Sequence, residues 1–290
     1  MAEGTVFKAL SGFYYVEHGE AMVECKARGR FRIEKETPLV GDRVEFIETE
    51  QGRGYVTSIS HRKNSFVRPP VANIDKMVLV VSAAEPATGT SLIDMMAAVA
   101  YKNNSEPVIC INKCDLDPGN ELYGIYSSAG FETIRTSAKT GAGLGQLCGS
   151  IKGTMCVFTG NSGVGKSSML NKLDPAFSIT TGEISAKLGR GRHTTRHVQL
   201  YRIPCGAIIA DTPGFSSYEM FEDIAKEELA GLFPDFSPFM DKCRFIDCSH
   251  INEPDCAVVR AVEEGSLQIS RHRSYEMMYR RASLRKQWDR

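Results

Sequence analysis

The nine residues GNSGVGKSS, at positions 160–168, have the residue types and spacing of a phosphate-binding loop. They satisfy the pattern G-x-x-x-x-G-K-[ST] between the apolar stretch TMCVFT and the helix-compatible KSSMLNKL, which is the context that the pattern requires. The alternative is an ordinary loop between a strand and a helix, in which the glycines occur by chance. Backbone N–H groups, the lysine ammonium and the serine hydroxyl would bind the phosphates and Mg²⁺ of a nucleotide. The predicted contacts are Gly160, Asn161, Ser162, Gly163, Val164, Gly165, Lys166, Ser167 and Ser168, with Lys166 catalytic and Ser167 on magnesium.

Two further motifs select the base. NKCD, at 112–115, follows the apolar PVICI, and its Asp115 can accept hydrogen bonds from the ring N–H and exocyclic amine of guanine, neither of which adenine presents. TSAKTGAG follows the next strand-like stretch, where a backbone N–H would approach the guanine oxygen. A short match to NKCD is weak alone, but both motifs stand on consecutive strands in the right relative order. The predicted base contacts are Asn112, Lys113, Cys114, Asp115, Ser137, Ala138 and Lys139.

Two segments would respond to the γ-phosphate. In IIADTPGF, Asp211 can hold Mg²⁺ through water, and the Gly214 N–H can contact the γ-phosphate. Between this segment and the phosphate loop, GRGRHTTRH is polar, contains glycine and favours no helix, as expected of a mobile switch segment. Thr194 or Thr195 would supply a second hydroxyl to Mg²⁺, and the sequence does not choose between them.

Three cysteines and a histidine near the C-terminus have the chemistry of a metal site. Cys243, Cys248, His250 and Cys256 form the pattern C-x4-C-x-H-x5-C, a full set of four ligands for a closed, structural zinc site. The spacing is not that of a common zinc finger, and three buried thiols beside a chance histidine are the alternative. Zinc is favoured because the region has little apolar core, and a metal can contribute on the order of 10 kcal/mol to folding.

Basic residues are clustered in two places, although 35 basic residues balance 35 acidic ones in the whole chain. The last twenty residues contain seven Arg or Lys and two acidic residues, in a segment that predicts a helix with aromatic side chains. In ARGRFR three arginines alternate, which in a strand would place them on one face. Both clusters suit contacts to a nucleic-acid backbone, and a solvated surface is the alternative. The predicted contacts are Arg28, Arg30, Arg32, Arg280, Arg281, Arg285 and Lys286.

The elements that must position these residues fall into three regions. Residues 1–68 show short strand-like stretches such as GFYYVEH and DRVEFIE, which predict an all-β barrel or sandwich; RPPVAN then suggests a linker. Residues 69–220 alternate apolar strands with helices near 90–102, 119–129, 143–151 and 165–173, typical of a mainly parallel α/β sheet. Residues 221–290 predict helices at 223–233, 257–266 and 274–290 around the cysteines. The apolar run at 77–84 is too short to span a membrane, and the N-terminus lacks a signal sequence, so we expect a cytoplasmic protein.

The order of the nucleotide motifs is unusual. The guanine motifs precede the phosphate loop, the switch threonines and Asp211, whereas a Ras-like GTPase begins with the phosphate loop. A cyclic shift restores the Ras-like order. Such a permutation requires the original ends to be joined, here near CGSIKGT, and new ends to open at a surface loop just after the second switch. The second switch would then be tied directly to the Cys/His region.

Together these features resemble the ribosome small-subunit-dependent GTPase A family, a group of bacterial ribosome-assembly factors. The resemblance lies in the permuted order, GNSGVGKSS, GRGRHTTRHV, ADTPGFSS and the Cys/His cluster, and it extends over essentially the whole chain. It implies an N-terminal OB-fold barrel, a circularly permuted P-loop GTPase domain and a mainly helical zinc-binding domain. It also implies GTP hydrolysis that is slow alone and stimulated by the small ribosomal subunit, whose late maturation the protein assists. The implied partners are that subunit and its rRNA, and we expect a monomer.

The attacking water lacks an obvious orienting residue. Ras-like enzymes place a glutamine after the sensor glycine, but Phe215 occupies that position here. Our hypothesis is that docking on the subunit brings His193 or an rRNA group to the water; a histidine that packs or contacts RNA fits the sequence almost as well. Two rival functions are possible from the sequence. One is a signalling switch without an RNA partner, and the other is an RNA scaffold with a vestigial nucleotide site.

Overall fold

Five strands in the first sixty residues close into a barrel. The structure, a computed structural model, describes residues 1–29, 31, 36–49, 52–67, 69–177, 198–211 and 221–284. In the barrel, β1 pairs with β2, β2 with β3, β3 with β5, β5 with β4, and β4 again with β1, and only β3 and β5 run parallel. This closed order confirms the predicted OB-fold barrel. The strands are β1 Ala2–Leu10, β2 Phe13–His18, β3 Ala21–Ala27, β4 Arg43–Glu48 and β5 Arg53–Ile59.

The period-two alternation of these strands fills the barrel. Val6, Val16, Cys25, Phe46 and Val56 are fully buried inside it, and in β2, β3 and β4 the residues on either side of these are more exposed. The three alternating arginines would share one face only in a strand, and Arg28 does not lie in one. β3 ends at Ala27, so the exposed Arg28 lies beyond it, while Arg30 and Arg32 lie outside the described residues.

A small hairpin follows the barrel where the sequence suggested a linker. Strands β6 (Ser65–Phe66) and β7 (Val71–Ala72) pair antiparallel, and the Ala72 N–H donates to Val40 O at 2.8 Å. The buried Asn64 side chain donates to Ile74 O at 2.8 Å and accepts from Ile74 N at 2.9 Å. Because these bonds satisfy buried backbone groups, the connection is a packed part of the structure.

The central region is a six-stranded sheet covered on both faces. The order is β10-β9-β8-β11-β13-β12, parallel except for β12. The near-continuous apolar runs in β8 and β9 suit strands buried on both faces. Their side chains divide between two cores, with helices α1 and α2 on one face and α3 and α4 on the other. The strands are β8 Lys76–Ser82, β9 Glu106–Asn112, β10 Glu132–Arg135, β11 Met155–Thr159, β12 Gln199–Arg202 and β13 Ile208–Asp211, and the helices are α1 Thr90–Lys102, α2 Asn120–Ser128, α3 Leu144–Ile151 and α4 Lys166–Leu173.

The sheet order agrees with a circular permutation. From β10, at one edge, the chain passes through α3 to β11, which lies in the interior between β8 and β13. A chain starting at β11 would run through β12 and β13 before β8, β9 and β10, as the Ras-like motif order requires. The short turn between Ile151 and Met155 joins the two halves, at the predicted junction.

The barrel and the central sheet form one continuous eleven-stranded sheet. β1 pairs antiparallel with the edge strand β12 through Lys8 and Gln199. Beside this contact Arg202 donates to the Glu17 carboxylate at 2.6 Å. The barrel therefore covers a strand edge that would otherwise present unpaired backbone groups.

The C-terminal region is built from short helices and turns. Its helices are α5 Ser237–Met240, α6 Ala257–Glu263 and α7 Ile269–Ser283, with 3-10 turns at Ala230–Leu232 and Pro234–Phe236. The helix predicted over 223–233 is wrong, because the chain there forms successive turns. The Glu228 carboxylate accepts from the Ala225 N–H at 3.2 Å and from Lys102 at 2.6 Å, and such side-chain bonds compete with helix formation. In the described part of the chain, no helix has the length and apolarity to cross a membrane.

A buried arginine joins the C-terminal region to α1. Arg271, on α7, is 1% exposed and donates to Asp94 on α1 at 2.5 Å and to both oxygens of Asp235 at 2.6 and 3.0 Å. Its guanidinium also lies over the rings of Phe233 and Phe131, at 4.6 and 4.9 Å. Burial alone would lower the pKa of Arg271, but the two carboxylates outweigh it and raise that pKa.

We predict that Arg271→Ala destabilises the protein by about 3–5 kcal/mol, because it leaves two carboxylates in a buried site without their cation. Arg273→Ala, on the exposed side of the same helix, is the matched control and should change stability by less than about 0.5 kcal/mol. Guanidinium unfolding followed by circular dichroism measures both. Equal stability of the two variants would contradict a structural role for the buried ion group.

Candidate functional site

The phosphate loop has the tight backbone path that its glycines allow. Gly160 and Gly165 have φ angles of 144° and 100°. A Cβ on Gly160 would lie 2.1 Å from Val80 O, and one on Gly165 would lie 2.3 Å from the Asn112 side-chain nitrogen. Both distances are far shorter than a van der Waals contact, so only glycine fits at these two positions. The loop leads directly into α4, whose first N–H groups have no partner within the helix and face the position of a bound phosphate.

Lys166 occupies the first position of α4. Its Nζ donates to Gly160 O at 2.5 Å and to Asn161 O at 2.7 Å, so it lies across the mouth of the loop. Burial lowers the pKa of its ammonium to about 8. A phosphate would offset this desolvation by placing negative charge beside the ammonium. Ser167 and Ser168 follow on the same turn and are half-buried.

Asn112 connects the phosphate loop with the guanine motifs. Its buried side chain donates from Nδ2 to Val164 O at 2.8 Å, while Oδ1 accepts from the Ala138 N–H at 3.0 Å. Thr136 adds a hydroxyl contact to the same oxygen at 3.3 Å. One amide thus joins three loops that lie at the ends of β9, β10 and β11.

The Asp115 carboxylate, predicted to select the base, is exposed and held by a hydrogen bond. The buried Ser137 hydroxyl donates to Asp115 Oδ1 at 2.6 Å, and this bond lowers the pKa of Asp115. Lys139 lies near enough to lower it further. Asp115 is therefore an ionised acceptor at neutral pH, as a guanine contact requires. The Cys114 N–H donates to Thr136 O at 3.0 Å and holds the motif against the next loop.

A segment before α1 touches both nucleotide loops. Lys113 donates from Nζ to Glu85 O at 2.7 Å. A Cβ on Gly163 would lie 3.1 Å from the Pro86 ring, so this proline packs on the phosphate loop. No motif in the sequence marks Glu85 and Pro86. Their role follows only from the way the sheet brings β8 beside β9 and β11.

Several predicted site residues lie outside the described residues. These are the switch residues His193, Thr194 and Thr195, the sensor Gly214, and Phe215. The backbone of Asp211 ends β13 and pairs with Gln199, but nothing is described of its side chain. β13 lies beside β11, so Asp211 ends on the edge of the sheet where the phosphate loop begins.

The structure brings the four predicted zinc ligands together. The ligand atoms of Cys243, Cys248, His250 and Cys256 all lie within 4.8 Å of one another. Cys243 Sγ is 3.5 Å from His250 Nδ1 and 3.9 Å from Cys256 Sγ, and Cys256 Sγ is 3.7 Å from the same nitrogen. A tetrahedral ion with bonds of about 2.3 Å to sulfur and 2.0 Å to nitrogen separates its ligands by roughly 3.8 and 3.5 Å. The three distances among Cys243, His250 and Cys256 therefore fit zinc.

Residues around the cluster hold its loop in place. The Glu253 carboxylate accepts from Ser249 N at 2.9 Å and from the N–H groups of Ile251 and Asn252 at 3.2 Å. Burial would raise the pKa of Glu253, but these bonds and one from the Ser249 hydroxyl lower it to about 2. On the other side, Tyr275 donates to Ser249 O at 2.7 Å and His272 Nε2 lies 2.7 Å from His250 O. Such contacts orient metal ligands.

The predicted RNA contacts on α7 lie at the surface. Arg280 is exposed and pairs with Glu276 one turn earlier. Arg281 is half-buried, 3.7 Å from Glu222 and over the Phe221 ring at 5.8 Å. Arg285 and Lys286 lie outside the described residues.

Comparisons with known proteins agree with this geometry. The family model described as RsgA GTPase matches residues 59–221, and the model described as RsgA N-terminal domain matches residues 3–56. A protein of Geobacillus sp. strain WCH70 named small ribosomal subunit biogenesis GTPase RsgA is 47% identical over 281 residues, covering 95% of each chain. A protein of Caldanaerobacter subterraneus with the same name is 43% identical, covering 96% of this chain and 95% of that one.

Two solved structures share the fold. YloQ, described as a circularly permuted GTPase, has a TM-score of 0.84 and 38% identity, covering 99% of this chain and 96% of its own. YjeQ from Thermotoga maritima has a TM-score of 0.86 and 38% identity, covering 98% and 99%. The predicted three-part fold and the permutation are thereby confirmed. The chain is a GTP hydrolase and belongs to the RsgA GTPase family.

Proposed function

We propose that this GTPase binds the small ribosomal subunit and assists its late maturation, with slow hydrolysis alone and faster hydrolysis on the subunit. The main supporting observation is a phosphate loop and two guanine motifs brought together in a sheet that is joined at one edge to an OB-fold barrel and on one face to a Cys/His module. Relatives that match nearly the whole chain are named small ribosomal subunit biogenesis GTPases. We further propose a cytoplasmic monomer with domains at 1–68, 69–220 and 221–290.

The chemistry rests mainly on electrostatic stabilisation. Lys166 and the loop amides would neutralise charge that develops on the transferred phosphoryl oxygens. Ser167, Asp211 and either Thr194 or Thr195 would hold Mg²⁺, which supplies further positive charge at the phosphates when bound. Water positioning would come from His193 or an rRNA group after docking, because Phe215 has no hydrogen-bonding side chain. The RNA contacts would be those predicted on the barrel and the C-terminal helix.

We also propose that the nucleotide state is reported to the C-terminal region. One route is covalent, because the second switch leads directly into residue 221. The structure supports a second route through α1. The segment before this helix touches Gly163 and Lys113, and the helix itself binds Arg271 through Asp94.

A first prediction from the proposed function concerns turnover. Purified small subunits should raise the rate of GTP hydrolysis at least about tenfold over the free protein, measured as phosphate release at saturating GTP. Equal rates with and without subunits would favour a signalling switch, and no turnover in either case would favour an RNA scaffold.

His193→Ala should remove most of the stimulation while leaving GTP affinity intact. Unchanged stimulation in that variant would exclude His193 from water positioning.

A second prediction concerns base selection. Asp115→Asn should weaken GTP binding by about a hundredfold, because two hydrogen bonds to a charged acceptor are lost. The variant should gain affinity for xanthosine triphosphate, whose carbonyl replaces the guanine amine and can accept from the asparagine amide. Fluorescent nucleotide titration measures both affinities. Asp117→Asn is the control, because the Asp117 side chain accepts a hydrogen bond from the Gly119 N–H at 2.7 Å. If Asp115→Asn bound GTP as tightly as this control, the predicted contact of Asp115 with guanine would be wrong.

A third prediction concerns the metal. We propose that Cys243, Cys248, His250 and Cys256 hold one structural Zn²⁺, so metal analysis should find about one zinc per chain. Cys243→Ser should lower the melting temperature by at least about 10 °C, because metal binding contributes folding free energy. Cys205→Ser, a partly exposed cysteine remote in sequence from the cluster, should change it little. Metal-free protein together with an unaffected Cys243→Ser variant would overturn the zinc site.

A further inference from the structure

The loop between β8 and α1 is fixed at its base. In this loop, residues 83–88, which we name the bracing loop, two hydrogen bonds join the last residue to the end of β8. The buried Thr88 donates its N–H to Ser82 O at 2.8 Å, and its Oγ1 accepts from the Ser82 N–H at 3.1 Å. The Ser82 hydroxyl also donates to Ala84 O at 2.8 Å. The base of the bracing loop therefore cannot move without breaking buried hydrogen bonds, while its middle is exposed.

The exposed middle of the bracing loop contacts both nucleotide motifs. Lys113, in the guanine motif, donates from Nζ to Glu85 O at 2.7 Å. The Pro86 ring lies 3.1 Å from the position of a Cβ on Gly163, so it packs against the backbone of the phosphate loop. The lysine binds a backbone carbonyl, and its position therefore depends on where the bracing loop lies. The two motifs are thus connected by a second path, besides the buried amide of Asn112.

The two motifs bind opposite ends of a guanine nucleotide. Residues 112–115 have the pattern that binds the base, and residues 160–168 have the pattern that binds the phosphates. A connection that keeps these loops at a fixed separation lowers the ordering cost of binding. Differences in affinity between closely related complexes lie mainly in the dissociation rate. Loosening the bracing loop should therefore speed nucleotide release. GDP and GTP share the base and the β-phosphate, so the effect should be similar for both.

We propose that Thr88 and Pro86 are positioning residues for the nucleotide. Thr88 closes the bracing loop, and Pro86 holds the phosphate loop at a fixed distance from the guanine motif, so that this loop sets the rate at which nucleotide leaves. The inference rests on the nucleotide site of the proposed function and identifies the element that controls exchange there; it does not depend on the ribosomal partner. Since the bracing loop leads into α1, a shift of α1 would change the release rate as well.

The experiment measures nucleotide release from the full-length protein. The protein is loaded with GDP carrying an N-methylanthraniloyl fluorophore, and the fluorescence decay is followed after excess unlabelled GDP is added. Thr88→Val keeps the shape of the side chain but leaves the buried Ser82 N–H without its acceptor, so release should be about tenfold faster. Thr88→Ser keeps the acceptor and should restore release to within about twofold of the wild-type rate. Pro86→Ala should speed release several-fold, and adding it to Thr88→Val should have little further effect, because both changes open the same loop.

Hydrolysis separates a positioning role from general damage to the site. In both Thr88→Val and Pro86→Ala, the KM for GTP should rise, because the lost interaction holds substrate and transition state equally. The rate of single-turnover hydrolysis of bound GTP should change by less than about twofold. A damaged phosphate loop would instead lower that rate.

The matched control is Ala87→Ser, which changes an exposed side chain next to Pro86 in the same loop and should leave release unchanged. Thermal unfolding identifies the variants that fold, and Pro86 is exposed, so Pro86→Ala tests the inference even where Thr88→Val does not fold. If Pro86→Ala, or a folded Thr88→Val, released GDP at the rate of the control, the inference would be overturned. Faster release accompanied by slower single-turnover hydrolysis would also overturn it.

The two proposals can fail separately. If Asp115→Asn weakens GTP binding as predicted while the Thr88 and Pro86 variants release GDP like the control, only the inference on the bracing loop fails. If these variants release GDP faster but small subunits do not stimulate wild-type hydrolysis, only the proposed function on the subunit fails.

Discussion

The buried amide of Asn112 is the contact on which the nucleotide site depends. It binds a carbonyl of the phosphate loop and an N–H of the Ser-Ala-Lys loop, so the two halves of the site are joined by one side chain. In the permuted chain these halves are no longer in their usual order, and the sheet and this amide keep them in register. The site is therefore determined by which strands are neighbours, and not by the order in which the chain visits them.

The permutation also determines where the additional domains attach. The barrel and its hairpin lead into β8, and the C-terminal region follows β13, so both are connected at the ends created by the permutation. The barrel strand β1 pairs with β12, and β12 is the strand that directly follows the first switch in the sequence. The two accessory domains are thus each linked to a strand adjoining a switch segment. In an unpermuted GTPase, the chain ends would lie at the α3–β11 junction, at the opposite end of the parallel strands from Asp211 and the phosphate loop.

The sequence predicted most of the site because its motifs impose local geometry. The phosphate loop, NKCD and the Cys/His spacing each specify ligands whose positions follow from a strand end or a metal. The sequence could not reveal the Pro86 contact with Gly163 or the Arg271 ion group, because each joins residues far apart in the chain that no pattern relates. The helix expected at 223–233 failed for a similar reason: Phe221, Ile224, Leu229 and Phe233 are buried in a core formed with another domain, and turns place them there.

We propose that α1 links the nucleotide site to the C-terminal region. At its start, the preceding segment contacts the phosphate loop and Lys113. Along its length, Asp94 is bound to Arg271 and Ser91 lies 3.5 Å from Ser274 on α7. A buried ion group resists sliding, because separating its charges within the protein is costly. Movement at the segment before α1 is therefore more easily passed to α7 as a shift of both helices together than absorbed at their interface. The covalent route through the second switch would pull on the same region from residue 221, so both proposed routes would act on the C-terminal region.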